Sequence, residues 1–266
     1  MVTITPEETK LPYYKYFLRD LAPIPQEKLD IWQGPAADSS LALPIEDRDR
    51  FLDEEPLPLE VGFCVAPNGT GFVANATPMP GVSLEMFDWW FGWHCIGSDL
   101  RYKLWDKEDH YQARAREVDY ICNPSVPANQ KSWGVTHDII EDIGLGPDPL
   151  TIHFKKPSDL GYSMEKLGTP GCLSMTCGVG ESQVPALMTH KFMQGPDCCI
   201  LKSRFWIGYG LNDKGEIIKL LPDGVSVPEM VPRALFGHNI KEFSNMVSFL
   251  PELYAEEGHK PLTPNE

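Results

Sequence analysis

Four side chains of this chain could act together on one divalent ion. The segment Phe236-Gly-His238-Asn-Ile-Lys-Glu242-Phe sets an imidazole and a carboxylate four residues apart near the C-terminus. On a helix both would leave the same face one turn apart, with roughly 5–6 Å between their Cβ atoms. That separation can grip a metal, and it also fits an ordinary i,i+4 histidine–glutamate pair, so the spacing leaves both readings open. A second pair is His110, which closes the aromatic stretch Arg101-Tyr102-Lys-Leu-Trp105-Asp-Lys-Glu-Asp-His110, and Glu141. Ile139, Ile140 and Ile143 surround Glu141, so its carboxylate must be paired, metal-bound or turned to solvent. Two imidazoles with two carboxylates suit zinc, with manganese and iron as alternatives. Sequence distance alone does not join the two pairs.

The elements that must hold these residues can be read around them. Phe243, Met246, Val247 and Leu250 recur at helical spacing and predict a long C-terminal helix from about residue 230 with one apolar stripe. Val61-Gly-Phe-Cys-Val and Gly71-Phe-Val-Ala-Asn-Ala-Thr77 flank a Pro-Asn-Gly-Thr turn, a strong hairpin signal. Ser83 opens a helix through the aromatic run to His94. From 112 to 220, strand-like runs alternate with turns, notably at Thr151-Ile-His-Phe and from Leu201 to Tyr209. Many strands followed by one long helix predict an α+β fold, a curved antiparallel sheet around that helix. The proline- and charge-rich start, with helix-like patches near 9–18 and 46–52, reads as a wrapping region or small subdomain over residues 1–80. The catalytic domain is then expected over 81–266.

Composition excludes several function classes. The 266 residues carry 23 basic and 38 acidic side chains, a net charge of −15, and no basic stripe, so nucleic acid is not an expected partner. No run approaches the ~20 apolar residues of a membrane span. The first residues lack the pattern of a secretory leader. The seven cysteines contain no Cys-x-x-Cys pair and read as small buried hydrophobes of a cytoplasmic protein.

The blocks Asp88-Trp-Trp-Phe-Gly-Trp-His94, Arg101-Tyr-Lys-Leu-Trp105, His110, Ile140-Glu-Asp-Ile-Gly144 and His238-x-x-x-Glu242-Phe together resemble the 2,4-diacetylphloroglucinol hydrolase and phloretin hydrolase family. The likeness covers roughly residues 60–255, with the blocks in the family's order. It implies a helix-grip catalytic domain like that of plant pollen allergens, and a homodimer. It also implies a zinc-dependent hydrolase that cuts the carbon–carbon bond between an acyl group and a polyhydroxylated ring. Carried over by motif, the zinc ligands are His110, Glu141, His238 and Glu242, and Tyr102, His190 and Tyr209 are expected in the catalytic pocket. The small-molecule partner would be an acylated polyphenol or a related 1,3-diketone.

The implied chemistry is physically reasonable. Direct cleavage would expel an aryl carbanion, which is prohibitive unless the ring first shifts to its keto tautomer. Cleavage then becomes a retro-Claisen step releasing an enolate, and donors to the ring oxygens stabilise the developing charge. A metal could lower the pKa of the attacking water or polarise the acyl carbonyl, with one carboxylate loosening to open a position. One departure concerns recognition: the family tends to place an asparagine three residues after the first zinc histidine, against a ring hydroxyl, and here Ala113 stands there. Losing that partner should alter recognition of one ring position. Two other readings therefore remain, a lyase, cyclase or isomerase using the same metal pocket, and a non-catalytic polyketide carrier. His94 is expected to cap or pack beneath the site. Alternation along a strand is taken to turn His137 and Asp142 away from Glu141, with outer-shell contacts as the alternative.

Overall fold

The computed structural model describes residues 2–264. Its centre is an eight-stranded antiparallel sheet in the order β1-β2-β8-β7-β6-β5-β4-β3. The strands are β1 (Gly62–Val65), β2 (Gly71–Pro78), β3 (His110–Ala115), β4 (Thr136–Glu141), β5 (Asp148–Lys155), β6 (Ser174–Glu181), β7 (Ala186–Met193) and β8 (Ile200–Ile207). Strands β3 to β8 form one meander. β2 returns to pair with β8 along its whole length, from Gly71 opposite Ile207 to Pro78 opposite Ile200. The β1–β2 hairpin lies inside the 1–80 segment, yet this pairing makes it one edge of the main sheet. A separate two-stranded ribbon joins β9 (Tyr209–Leu211) to β10 (Ile217–Lys219).

The helices are α1 (Tyr14–Phe17), α2 (Gln26–Gln33), α3 (Leu84–Trp93), α4 (Leu100–Lys103), α5 (Val118–Cys122) and α6 (Met230–Glu257). The 28-residue α6 packs on β1 and β2, and the sheet curves around it as a helix-grip fold requires. Its stripe buries Phe236, Ile240, Phe243, Met246, Phe249, Leu250 and Leu253 in one core with Phe63, Val73, Phe192 and Phe205 from the strands. α3 joins the same core through Phe87, Trp90, Phe91 and Trp93. Ser83 caps α3, its hydroxyl accepting from the Met86 amide at 3.4 Å, which satisfies one orphan donor of the first turn.

The other face of the sheet has its own core. Cys64, Phe72, Met175, Cys177, Val179, Leu187 and Trp206 pack there against Leu43, Ile45, Phe51 and Leu52, the last three of which lie in a 3-10 helix over Ile45–Leu52. Residues 43–52 thus cover the convex face, whereas α3 and α6 fill the concave one, joined by Tyr13, Tyr16 and Trp32. No helix among the described residues is long and apolar enough to cross a membrane.

Candidate metal centre

A single irregularity in β3 brings the first pair together. The register runs His110 opposite Glu141 and then Gln112 opposite Ile140, so two residues of β3 oppose one of β4. Such a bulge re-aims side chains and is common beside functional sites. Here it places His110 and Ala113 both on the buried face, which plain alternation would not do. His110 is thereby set directly across from Glu141.

The second pair comes from α6, whose inward face carries His238 and Glu242 as the i,i+4 spacing predicts. The two imidazoles meet with Nε2 of His110 3.1 Å from Nε2 of His238. Glu242 Oε2 lies 3.8 Å from the first of these nitrogens and 4.0 Å from the second. The ligand-type atoms of His110, Glu141 and His238 all lie within 4.8 Å of one another. His110, His238 and Glu242 are buried, and Glu141 is half-buried at the cavity mouth.

Supporting groups fix how these side chains point. His110 Nδ1 donates to the Tyr102 carbonyl at 3.3 Å, so its Nε2 keeps the lone pair that faces His238. The Tyr102 ring stacks flat on the His110 ring, centroids 3.9 Å apart. The Tyr102 hydroxyl donates to Glu141 Oε2. Asn239 Nδ2 donates to Glu242 Oε1 at 2.9 Å. Asp109 stands 3.8 Å from His238 Nδ1, an ion-pair rather than a hydrogen-bond distance. Its own carboxylate is taken by Lys241, which also reaches Asp106 at 3.0 Å. An ammonium therefore already occupies that outer acidic cluster.

Electrostatics agree with a cation-binding pocket. Burial pushes Glu242 up to about 8, His238 opposes the shift, and Glu141 adds to it. Burial disfavours the charged form of His238, yet Asp109, Glu242 and Glu141 hold its pKa up to about 9. Burial drives His110 far below the usual imidazole range, and His238 pushes it further. The carboxylates of Glu141 and Glu242 beside the two imidazoles form a site that a divalent ion would stabilise in place of the His238 proton. The donor set, the shared focus of the two Nε2 atoms and the outer hydrogen bond on His110 all fit zinc.

The remaining residues fall into two groups. His190 lines the cavity over the site, bonded through Nδ1 to Ser203 Oγ at 2.8 Å and kept neutral because burial lowers its pKa to about 3. Tyr102 lines the same cavity, and burial followed by Glu141 raises its pKa well above the usual phenol value, so it stays a donor. Tyr209 is not brought to the site. It packs in the convex-face core, where Asn68 Nδ2 donates to its hydroxyl at 3.1 Å. Alternation from Phe205 through Ile207 would send Tyr209 inward. Gly208, at φ 96°, ends the strand and swings the chain to the other face.

His137 also departs from expectation. Residues 137, 139 and 141 share one face of β4, as their even spacing requires, so His137 points inward with Glu141 rather than away. Both its ring nitrogens are buried without a hydrogen-bond partner, and its ring lies 5.5 Å from His94. Counting parity along His137-Asp-Ile-Ile-Glu141 was the signal available. Asp142 does turn out, accepting from the Gly144 and Gly146 amides at 2.7 and 2.9 Å. His94 ends α3, bonded through Nδ1 to the Trp90 carbonyl at 2.9 Å, and its ring also reaches the cavity wall.

The inner cavity, about 60 Å³, adjoins an outer one of about 120 Å³. Glu141, Ile152, Met188, Phe205 and Leu235 line both. The outer part is walled by Leu150, Val184, Ala186 and Ile207. Ala113 is buried opposite Ile139 and offers no side-chain hydrogen bond.

Fold and site together define a helix-grip protein with a His2Glu2 cluster at the foot of an apolar pocket. The chain belongs to the DAPG hydrolase family: the model of the DAPG hydrolase PhiG domain matches residues 43–255. It is 51% identical over 257 residues to phloretin hydrolase of Eubacterium ramulus, covering 96% of this chain and 94% of that one. It is 30% identical over 261 residues to 2,4-diacetylphloroglucinol hydrolase of Pseudomonas protegens, covering 93% of this chain and 85% of the relative. A 2,4-diacetylphloroglucinol hydrolase of a Pseudomonas species is 29% identical over a stretch of the same length.

Proposed function

We propose that this protein is a zinc-dependent hydrolase that cleaves the bond between an acyl carbon and a phloroglucinol-type ring. The observation that carries the reading is the meeting of His110 and His238 through their Nε2 atoms at 3.1 Å, with Glu141 and Glu242 beside them. His110, Glu141, His238 and Glu242 would hold the ion. When bound, zinc supplies Lewis acidity for the acyl oxygen and lowers the pKa of the attacking water.

The chain's own residues supply the rest. The pocket walls are apolar, so an aromatic ring entering them sheds water and sits in a low-dielectric site where each hydrogen bond counts for more. Tyr102 Oη, neutral and resting on Glu141, would turn its proton to an entering ring oxygen and favour the keto tautomer. As the carbon–carbon bond breaks, its electron pair moves into the ring and leaves an enolate oxygen that the Tyr102 O–H stabilises. With Nδ1 of His190 taken by Ser203, its Nε2 is the nitrogen available to a second ring oxygen. Water adds to the acyl carbon and becomes the carboxylic acid, and a proton returns to the ring carbon that loses the acyl group.

Higher identity to the phloretin enzyme, together with the outer apolar cavity beyond Glu141, favours a long arylpropanoyl acyl group over a simple acetyl group. We further infer a cytoplasmic homodimer, as the sequence resemblance implies; light scattering on the purified chain tests the dimer. The substrate reading is tested by incubating zinc-loaded protein with phloretin and with diacetylphloroglucinol and separating the products. Equimolar phloroglucinol and arylpropanoic acid from phloretin are expected. Consumption without released acid would instead indicate a lyase, cyclase or isomerase, and tight binding with no turnover a carrier.

A further inference from the structure

Lys28 projects from α2 into the protein and is only 4% exposed. Among the described residues its ammonium meets no carboxylate at ion-pair distance, only two neutral oxygens. Nζ donates to Asn75 Oδ1 at 2.8 Å and to Thr77 Oγ1 at 2.9 Å. Burying a charge without a counter-charge is unfavourable, and burial draws this lysine down to about 8. General stability does not explain such a residue, because a methionine would fill the same space without a charge.

What the ammonium adds is direction. It has three donors and no acceptor, so only the oxygen end of the Asn75 amide can face it. The nitrogen end then donates to Asn239 Oδ1 at 2.9 Å. Asn239 is left with its own nitrogen toward α6's next turn, donating to Glu242 Oε1 at 2.9 Å. The other oxygen, Oε2, is the one turned to His110 and His238. If either amide were reversed, a carbonyl oxygen would face another oxygen and Glu242 would lose its anchor.

The same N-terminal helix is pinned to α6 beside the site. Trp32 Nε1 donates to the Arg233 carbonyl at 3.1 Å, and Arg233 Nη1 donates to the Gly34 carbonyl at 2.8 Å. Gly237 immediately precedes His238, and any Cβ there would overlap the Trp32 ring. The N-terminal segment is thus built against the back of the cluster.

We propose that Lys28 is a positioning residue for Glu242, acting through the Asn75 and Asn239 amides to hold one carboxylate oxygen and aim the other at the two imidazoles. The inference rests on the reading of this cluster as a metal centre, and the test separates the two. Zinc affinity of the full-length chain is measured by chelator competition, and the cobalt(II)-loaded protein is followed by its visible spectrum. Lys28→Met is expected to weaken zinc binding about 10- to 100-fold, the usual effect of losing an outer partner of a ligand, and to shift the cobalt bands. Asn239→Ala should do the same, and adding Lys28→Met to it should weaken binding no further, because both act through one bond to Glu242. Should Lys28→Met fold poorly, Asn75→Ala breaks the relay one link on and carries the same expectation. A folded Lys28→Met or Asn75→Ala variant with wild-type zinc affinity and an unchanged cobalt spectrum overturns the proposal, as does full additivity in the double variant. If the wild-type chain binds neither zinc nor cobalt, the metal reading fails and takes the proposal with it.

Discussion

The two faces of one sheet have been put to different uses, and neighbouring residues show it. In β7, His190 turns to the concave face and reaches the cavity, whereas Lys191 beside it turns to the convex face and donates to the Asp53 carbonyl at 2.8 Å. In β8, Ser203 supports His190 from inside, while Arg204 on the outside lies 3.1 Å from Glu60. The convex face sets buried Arg204 against a carboxylate and packs cysteines among aliphatics. Glu60 also takes Lys202 at 2.8 Å. The concave face instead gathers imidazoles and carboxylates around one focus, with His238 Nδ1 and both nitrogens of His137 left without hydrogen-bond partners. A buried cation set against a carboxylate in a core serves stability, whereas unmatched imidazole nitrogens beside a cavity mark where a ligand supplies what is missing.

The contrast is broken most severely by removing a proposed zinc ligand. Glu242→Ala should abolish zinc retention and lower turnover by more than the roughly 100-fold typical of outer-shell losses; metal content that stays at the wild-type level would take Glu242 out of the centre. A smaller effect is expected from Tyr102→Phe, which deletes one hydroxyl and keeps the ring on His110. Turnover should fall about 100-fold with zinc still bound, and unchanged turnover would remove Tyr102 from the chemistry.

Acid should then separate the faces by window. Burial holds His94 near 4 and His190 near 3, against 6.5 in the unfolded chain. The unfolded state therefore binds more protons below 6.5, so stability present above that value is lost as the pH falls toward 4. On the convex face, burial would raise Glu60, but Arg204 and Lys202 outweigh it and hold its carboxyl below the usual 4.5. Its contribution is present above 4.5 and lost only at lower pH. Thermal unfolding of the metal-free protein should thus begin to weaken between pH 6.5 and 4, and a flat profile there would contradict neutral burial of the histidines. The smallest effect should come from Tyr209→Phe on the convex side. Losing the Asn68 bond should cost about 1 kcal/mol of stability with turnover intact, and a fall in turnover matching Tyr102→Phe would return Tyr209 to the pocket.

Much of this was legible in the sequence where a regular period governed it. The i,i+4 spacing and apolar stripe foretold that His238 and Glu242 share the inner face of α6, and the Asn-Gly turn foretold the β1–β2 hairpin. Irregularities were opaque. The bulge between His110 and Gln112 sets His110 across from Glu141, and nothing in that segment announces an extra residue. Gly208 sends Tyr209 to the wrong face for the same kind of reason, because one left-handed glycine resets alternation. α2 was missed since Gln26–Gln33 is mostly polar and follows prolines, so its buried Lys28 left no hydrophobic period to detect. Long-range partners such as Asn75 and Asn239 meet only through tertiary structure.

The most direct test of the central claim is elemental analysis of untagged protein beside the His110→Ala variant. About one zinc per chain in the wild type, lost in the variant while the fold is retained, is the predicted result. Wild-type protein that carries no metal and takes up none from added zinc would contradict the account.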